Sequence, residues 1–369
     1  MGAFLGQLRS NEIFSALYNM IISQEVFADN LGKHQTLVEK ARVDGGLYGD
    51  TKLFYATDVL KSVPWGNDAE AANLLALHRP EAPECQAIHL DVFRQICLTV
   101  DNYLSKRAWA DEGAFSSFNS VMLGWMRETK RVYDGTLYNV FIGTTESSVG
   151  SQAQSVTIPG GATDEQEAKL IAQKIADLMI EMGDYSRDFN DYGNLRSYAE
   201  DAIKVVWNSK FVNKIRKVDL PAIFHKDGLM DKFEEEILPA RYFGHMVGAA
   251  DIGEGKIIGA DGAYDSTKGT LRAAKEFDYN SVHYFPGDAL ATSGTYVAVV
   301  GGLEASQVYV EESGIICKVL VKLPPYMSAF EVGTSFFNPK SLTENHYLTF
   351  GHNTIEYLKN YPFITVRKA

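Results

Sequence analysis

Apolar residues recur at helical spacing for about eight turns between Gly113 and Ile142, with Phe115, Phe118, Met122, Trp125, Met126, Thr129, Tyr133, Leu137, Val140 and Phe141 on one stripe. This spacing predicts a single amphipathic helix of roughly 28 residues and ~42 Å, long against the three or four turns usual in globular domains. The opposite side carries Ser117, Arg127, Lys130, Arg131 and Asp134, which predicts a face toward solvent or a neighbouring subunit. A second stripe, Ile13, Phe14, Leu17, Met20, Ile21 and Phe27, predicts a short helix over Asn11–Phe27.

Between His34 and Val100 the period changes. Thr51–Leu60 (TKLFYATDVL) and Ile88–Val100 (IHLDVFRQICLTV) read as strands, while Asp44, Gly45, Gly46, Gly49, Pro64, Gly66, Pro80 and Pro83 punctuate the rest. Two strands bracketing a turn-rich span of roughly 27 residues predict an extended arm rather than a compact sheet, and an arm needs a partner to cover it. Ser147–Gly161, rich in Ser, Gln, Thr and Gly, reads as a boundary. Thr163 and Gln166 then form a capping box ahead of Ala168, Ile171, Ile175, Leu178, Met179 and Met182, a helix ending near Gly183. Ala202–Trp207 (AIKVVW) reads as a strand, and Asn208 is placed to cap a helix carrying Phe211, Val212 and Ile215. Glycine-dense Gly244–Gly269 is expected to be a loop; Tyr296–Val300, Val308–Val310, Ile315–Val321 and Phe363–Val366 are expected to be strands. The chain carries no internal repeat and no low-complexity tract.

Composition narrows the classes. With 369 residues, 46% of them hydrophobic and 12% aromatic, the chain can bury a large core, and the length predicts two or so domains. A net charge of −12 opposes tight binding to a polyanion, which requires clustered cations. Met1–Ser10 has one Arg and no long apolar run, so no cleaved leader is expected. No segment reaches the roughly 18 apolar residues of a membrane helix, and a soluble protein is expected. Cys85, Cys97 and Cys317 are odd in number and lack CxxC spacing, which argues for a reducing compartment and against a disulfide framework or a structural zinc site.

Candidate chemistry fails on spacing. A phosphate loop at Gly255-Lys256 would have Ala250 in place of the first glycine and Ile257 in place of the hydroxyl. Asp188, Asn190 and Gly193 suggest a calcium loop, but Tyr192 holds a ligand position and Ala199 stands where a bidentate Glu is needed, which leaves a polar turn. There is no GxSxG elbow and no HExxH pair. His346 and His352 read as hydrogen-bonded core or interface residues, Glu234–Glu236 as a solvated face, and Cys97, between Ile96 and Leu98, as a buried strand residue. No converging groups emerge, so no catalytic, cofactor or metal residues are assigned and a structural role rather than an enzyme is expected.

The order of parts is specific: a short N-terminal helix, an extended arm, a long spine helix, an α/β portion with a strand-Asn-helix unit, then C-terminal strands. In this order the chain resembles the major capsid proteins of tailed bacteriophages (Caudoviricetes). The resemblance implies an α+β fold of the Hong Kong 97 type. Its parts would be an N-terminal arm and helix at 1–33, an E-loop with flanking strands at 34–108 and a peripheral (P) domain with the spine at 109–158. An axial (A) domain would follow at 159–325 and C-terminal P-domain strands at 326–369. Within this frame Gly46–Val100 looks like the E-loop, Ala202–Ile215 (AIKVVWNSKFVNKI) like an A-domain unit and Asn360–Val366 (NYPFITV) like a last P-domain strand. Leu323–Thr343 and Asp101–Arg107 are similar to capsid proteins of phages infecting Gram-positive and gut bacteria.

The resemblance implies self-assembly into pentamers and hexamers of an icosahedral virion shell in the host cytoplasm, enclosing double-stranded DNA without sequence-specific binding and without a membrane. Phe54, Tyr55, Trp65 and Phe93 are the implied inter-subunit residues. A portal is an expected partner and cement proteins are possible ones. Only residues 1–33 precede the arm, so a separate scaffolding protein is implied rather than a fused one. No covalent cross-link is assigned, because its Lys, Asn and Glu cannot be placed on matching residues. An encapsulin-like compartment shell remains the alternative, and an α/β enzyme without a recognisable motif the remote one.

Overall fold

The computed structural model describes residues 36–45, 51–62, 77, 79–101, 112–217, 234–248, 251, 256–258, 263–279, 281–291, 296–298 and 305–369. The helix expected over Asn11–Phe27 lies outside the described residues. Contacts divide the chain into two units, one from Met1–Asp50, Leu90–Thr136 and Tyr326–Thr354, the other from Thr51–His89, Leu137–Pro325 and Ile355–Ala369.

In the first unit, four strands run in the order Arg42–Asp44, Tyr326–Asn338, Thr343–Asn353, Leu90–Asp101. The first pair is parallel and the other two are antiparallel. The spine helix, Glu112–Thr144, is 33 residues long and contributes its residues up to Thr136 to this unit. Thr129, Thr136 and Thr144 sit within it because each hydroxyl donates back to the carbonyl four residues earlier, at 2.9, 2.8 and 2.8 Å. Met126 and Tyr133 are buried on the expected stripe, and the Tyr133 ring meets Phe350 at 5.8 Å.

The expected polar face of the spine needs correction. Lys130 and Asp134 are 5% and 1% exposed, whereas Trp125 of the apolar stripe is 36% exposed. Asp134 accepts from Lys130 Nζ at 2.8 Å, Arg42 Nη2 at 3.3 Å and the Tyr326 hydroxyl at 2.6 Å. A Lys–Asp pair four residues apart ordinarily decorates an exposed helix face. Here the two charges neutralise each other under the sheet, where each alone would be costly.

The second unit is built on a five-stranded sheet in the order Ala153–Val156, Phe363–Lys368, Ile315–Leu320, Lys204–Asn208, Glu234–Leu238. Against it packs the helix Asp164–Gly183, with Ala168, Ile171, Ile175, Leu178, Met179 and Met182 all buried. Its capping box is formed in full: Thr163 Oγ1 accepts from Gln166 N at 3.3 Å, and Gln166 Oε1 from Thr163 N at 3.2 Å. Asn208 Oδ1 accepts from Lys210 N at 3.1 Å and so caps Ser209–Lys217 as expected, while its Nδ2 donates to the Ile315 carbonyl at 2.9 Å. A smaller four-stranded sheet runs Ala289–Ala291, Leu271–Ala273, Val308–Glu311, Gly244–Met246.

Several expectations give way here. Ser147–Gly161 is not a plain boundary, because Ala153–Val156 is a sheet strand parallel to Phe363–Lys368. Gly244–Gly269 contains the strands Gly244–Met246 and Ala263–Asp265. A Cβ on Gly244 would lie 2.1 Å from the Val310 carbonyl oxygen, so this glycine serves close strand approach rather than a turn. Glu234–Glu236 forms part of an edge strand parallel to Lys204–Val206, with Glu235 and Glu236 half-buried. Phe363–Lys368 pairs with Ile315–Leu320 in the second unit's sheet. Cys97 is exposed, since on Leu90–Asp101 it shares its face with Asp91, Phe93 and Gln95.

The arm is narrower than expected. Lys52–Ala56 pairs antiparallel with Glu84–Ile88, not with Leu90–Asp101, which joins Thr343–Asn353. Alternation shows which side chains share a face but not which strand lies alongside. The true partner, with His346, Tyr347, Thr349 and Gly351 in sequence, does not alternate in hydropathy.

Candidate functional site

Two elements present most of the exposed large apolar side chains among the described residues. In the second unit these are Leu53, Tyr55, Val59, Leu60 and Leu77 of the arm; in the first they are Phe93, Val332, Phe336, Phe337 and Leu342 of the four-stranded sheet. Single exposed apolar residues are ordinary, but contiguous sets mark contact surfaces.

The arm hairpin alternates as a strand pair must. Leu53 and Tyr55 point outward, Tyr55 at 64% exposure, while Phe54 and Ala56 turn toward their own unit. There the Lys322 ammonium lies 5.9 Å from the Phe54 ring and 5.5 Å from Tyr361, beside a cavity of about 200 Å³ lined also by Gln86, Tyr192 and Leu358. Two attachments hold the hairpin to its own unit. On the returning strand, buried Gln86 donates to the Tyr357 carbonyl at 3.0 Å and accepts from Lys359 N at 3.1 Å. On the outgoing strand, Asp58 Oδ1 accepts from Val59 N at 2.8 Å and Leu195 N at 2.9 Å, and Oδ2 from Arg187 Nη1 at 2.6 Å. Arg196 Nη2 donates to the preceding Thr57 carbonyl at 2.6 Å. The Leu195 N–H, then Arg187 and the Val59 N–H, draw the Asp58 pKa down to about 2.

The long hairpin Tyr326–Asn338 and Thr343–Asn353 is uncovered on both sides at its far end. Phe336 and Phe337 are consecutive, so they face opposite sides of the sheet, yet they are 62% and 49% exposed. Phe93 lies opposite Gly351, where a Cβ would meet its ring carbon at 3.3 Å; the glycine leaves room for the ring.

Of the four candidates, Tyr55 and Phe93 are exposed, Phe54 faces its own unit and Trp65 lies outside the described residues. Sequence reasoning missed Phe336 and Phe337, although two adjacent aromatics in one strand cannot both enter a core that lies on one face. It also missed Asp58 and Gln86, whose roles depend on the Leu195 N–H, 137 residues on, and on the Tyr357 carbonyl, 271 residues on.

The polar groups of the candidate calcium loop are engaged structurally. Asn190 donates to the Asn194 carbonyl at 2.7 Å and accepts from its N–H at 2.8 Å, while Asp191 accepts from Ser147 and Gln152, each at 2.9 Å, and from Tyr357. The Asp188–Gly193 segment is therefore a polar turn. Among the described residues no group of three or more His, Cys, Asp and Glu is placed to hold a metal ion. His352 is buried between the Tyr133 hydroxyl at 2.9 Å and the Asn353 carbonyl at 2.8 Å, and burial lowers its pKa. Of the charged residues lining a cavity of about 500 Å³, Glu311 pairs with Arg272, Arg367 with Glu146 and Lys368 with Glu167.

No protein-family model and no curated protein matches the chain. Among solved structures it is similar to a chain of the capsid structure of Staphylococcus phage Andhra, at 10% identity and a TM-score of 0.54, over 93% of this chain and 84% of that one. It is also similar to a chain in the structure of the head fiber and inner core protein gp22 of native bacteriophage P68, at 11% identity and a TM-score of 0.56, over 88% and 82%. At such identities the likeness is one of fold, and this fold is an α+β capsid-type fold.

Proposed function

We propose that the chain is a major capsid protein of a tailed, double-stranded DNA bacteriophage, built on the Hong Kong 97 fold and assembling with its own copies into the pentamers and hexamers of an icosahedral shell. The observation that carries this reading is the likeness of fold over 93% of the chain to a chain of a phage capsid structure. The uncovered arm and the two-sided end of the long hairpin supply what a shell subunit requires, several different surfaces on one sequence. A standard contact buries on the order of 1,600 Å², and aromatic residues such as Tyr55, Phe93, Phe336 and Phe337 are enriched at the cores of such contacts. The net charge of −12 suits a wall that encloses DNA without adhering to it. In this reading the particle is completed by a portal and a separate scaffolding protein, with cement proteins as further partners, and forms in the host cytoplasm. Negative-stain microscopy of the expressed chain should show closed particles or capsomer rings. Isolated subunits at every concentration would contradict it, and particles that carry a protein cargo in place of nucleic acid would turn it toward a cellular compartment.

A further inference from the structure

The arm is held to its own unit by an attachment out of proportion to its size. Asp58 is the last residue before the exposed pair Val59 and Leu60, at 52% and 78% exposure. Its carboxylate takes three donors, two backbone N–H groups and one guanidinium. Hydrogen bonds to an ionised group are about twice as strong as neutral ones.

The receiving surface is itself fixed. Ser186 and Arg196 exchange two backbone bonds of 2.9 Å each, and Asp191 N donates to the Lys359 carbonyl at 2.8 Å. Arg187 is oriented by a second bond from Nη1 to the Gly193 carbonyl at 2.7 Å. Gly193 has φ +66°, a conformation that favours glycine. Beyond Asp58 the two sides of the arm are joined by the exposed Lys61–Glu81 pair at 2.8 Å. The arrangement holds the root of the arm firmly while Val59, Leu60 and Leu77 stay uncovered.

We propose that Asp58 is a positioning residue for assembly: through Arg187 and the Leu195 N–H it sets the direction in which the arm leaves the body, so that the arm meets a neighbouring copy already aimed. This rests on the reading of the chain as a shell subunit. A flexible segment loses entropy on docking, and holding it in its bound direction beforehand removes part of that cost. Asp58 thus acts on association and not on the core, since none of its partners belongs to a buried apolar cluster among the described residues.

The test uses the full chain with Asp58→Asn, which preserves shape but removes the charge, and Arg187→Gln as a second variant. In unassembled protein, hydrogen exchange at the Val59 and Leu195 amides should speed up roughly ten-fold in Asp58→Asn, and the folding equilibrium should weaken by no more than that same factor. The concentration at which particles form, read by light scattering, should rise several-fold in both variants. An assembly threshold equal to that of wild type in both would overturn the proposal. So would a threshold that rises only in step with a lowered denaturation midpoint, because Asp58 would then be a stability residue. A wild-type chain that never assembles defeats the shell reading instead, and is told apart because it needs no variant.

Discussion

The Lys318 ammonium sits in the middle strand of the five-stranded sheet with 0% exposure. It donates at 2.8 Å to the Thr145 carbonyl, just past the end of the spine helix, and at 2.8 Å to Thr365 Oγ1. The next acceptor, a Glu146 carboxylate oxygen, is 4.0 Å away. Two acceptors suit a neutral amine, and desolvation pushes the pKa from 10.5 down to about 7. Between those values the unfolded chain holds a proton that the folded chain lacks. Stability from this group is therefore fully present above 10.5 and is lost as pH falls toward 7. Urea denaturation at pH 8 and 9.5 should show wild type gaining about 1.3 kcal/mol per pH unit relative to Lys318→Met; parallel profiles would contradict it. Asp134 tests the other buried charge. Asp134→Ala leaves Lys130 under the sheet and should cost about 3–5 kcal/mol, while Lys130→Met with Asp134→Leu should recover only part of that, because the Tyr326 hydroxyl still loses its acceptor. Neither role was legible in the sequence. A lysine within IICKVL and a Lys–Asp helical pair carry the same letters whether they end in water or in the core, and the deciding groups, Thr145, Thr365, Arg42 and Tyr326, are remote along the chain.

At the level of elements, local signals were readable wherever the determining groups were neighbours in sequence. The capping box at Thr163 and Gln166, the stripe behind it and the Asn208 cap are such cases, and the structure places each within a residue or two. The spine was legible from eight turns of periodicity, apart from its depth of burial. Pairing was not, because strand partners are chosen by complementarity across long separations. The long hairpin escaped because Tyr326–Asn338 and Thr343–Asn353 mix small, polar and aromatic residues on both faces, as suits an element uncovered at its end. The end of the spine carries a sharper constraint. A Cβ on Gly143 would come within 2.1 Å of the Tyr242 carbonyl oxygen, while Val140, one turn earlier, packs with Tyr242, Ala274 and Tyr309. Backbone cannot yield as a side chain tip can, so Gly143→Ala should cost about 3 kcal/mol or more. A shift of the urea midpoint too small for 1 kcal/mol would show that the helix end slides without resistance.

For the molecule as a whole, burial is incomplete in a consistent way. The second unit has a dense apolar core around Leu178, Ile316, Val319 and Ile364, each 1% exposed or less. The arm that leaves it, and the far end of the first unit's hairpin, carry apolar side chains that the chain does not cover. Among the described residues the spine, the capped helix and the strand-Asn-helix unit follow one another as the sequence suggested, but the arm drawn from it was too long, since Leu90–Asp101 belongs to a sheet. What remains is a hairpin fixed at Asp58 and Gln86, with Val59, Leu60 and Leu77 exposed beyond them. Deleting Lys61–Ala82 should therefore leave the circular dichroism and denaturation midpoint of the subunit unchanged. Its effect belongs to association, and sedimentation velocity over a wide concentration range reads that directly. Wild type should pass from a 40.9 kDa species to large closed particles, and the deletion should stay small throughout. A wild-type chain that sediments as a compact monomer at the highest concentration would contradict the claim that sister copies complete its burial.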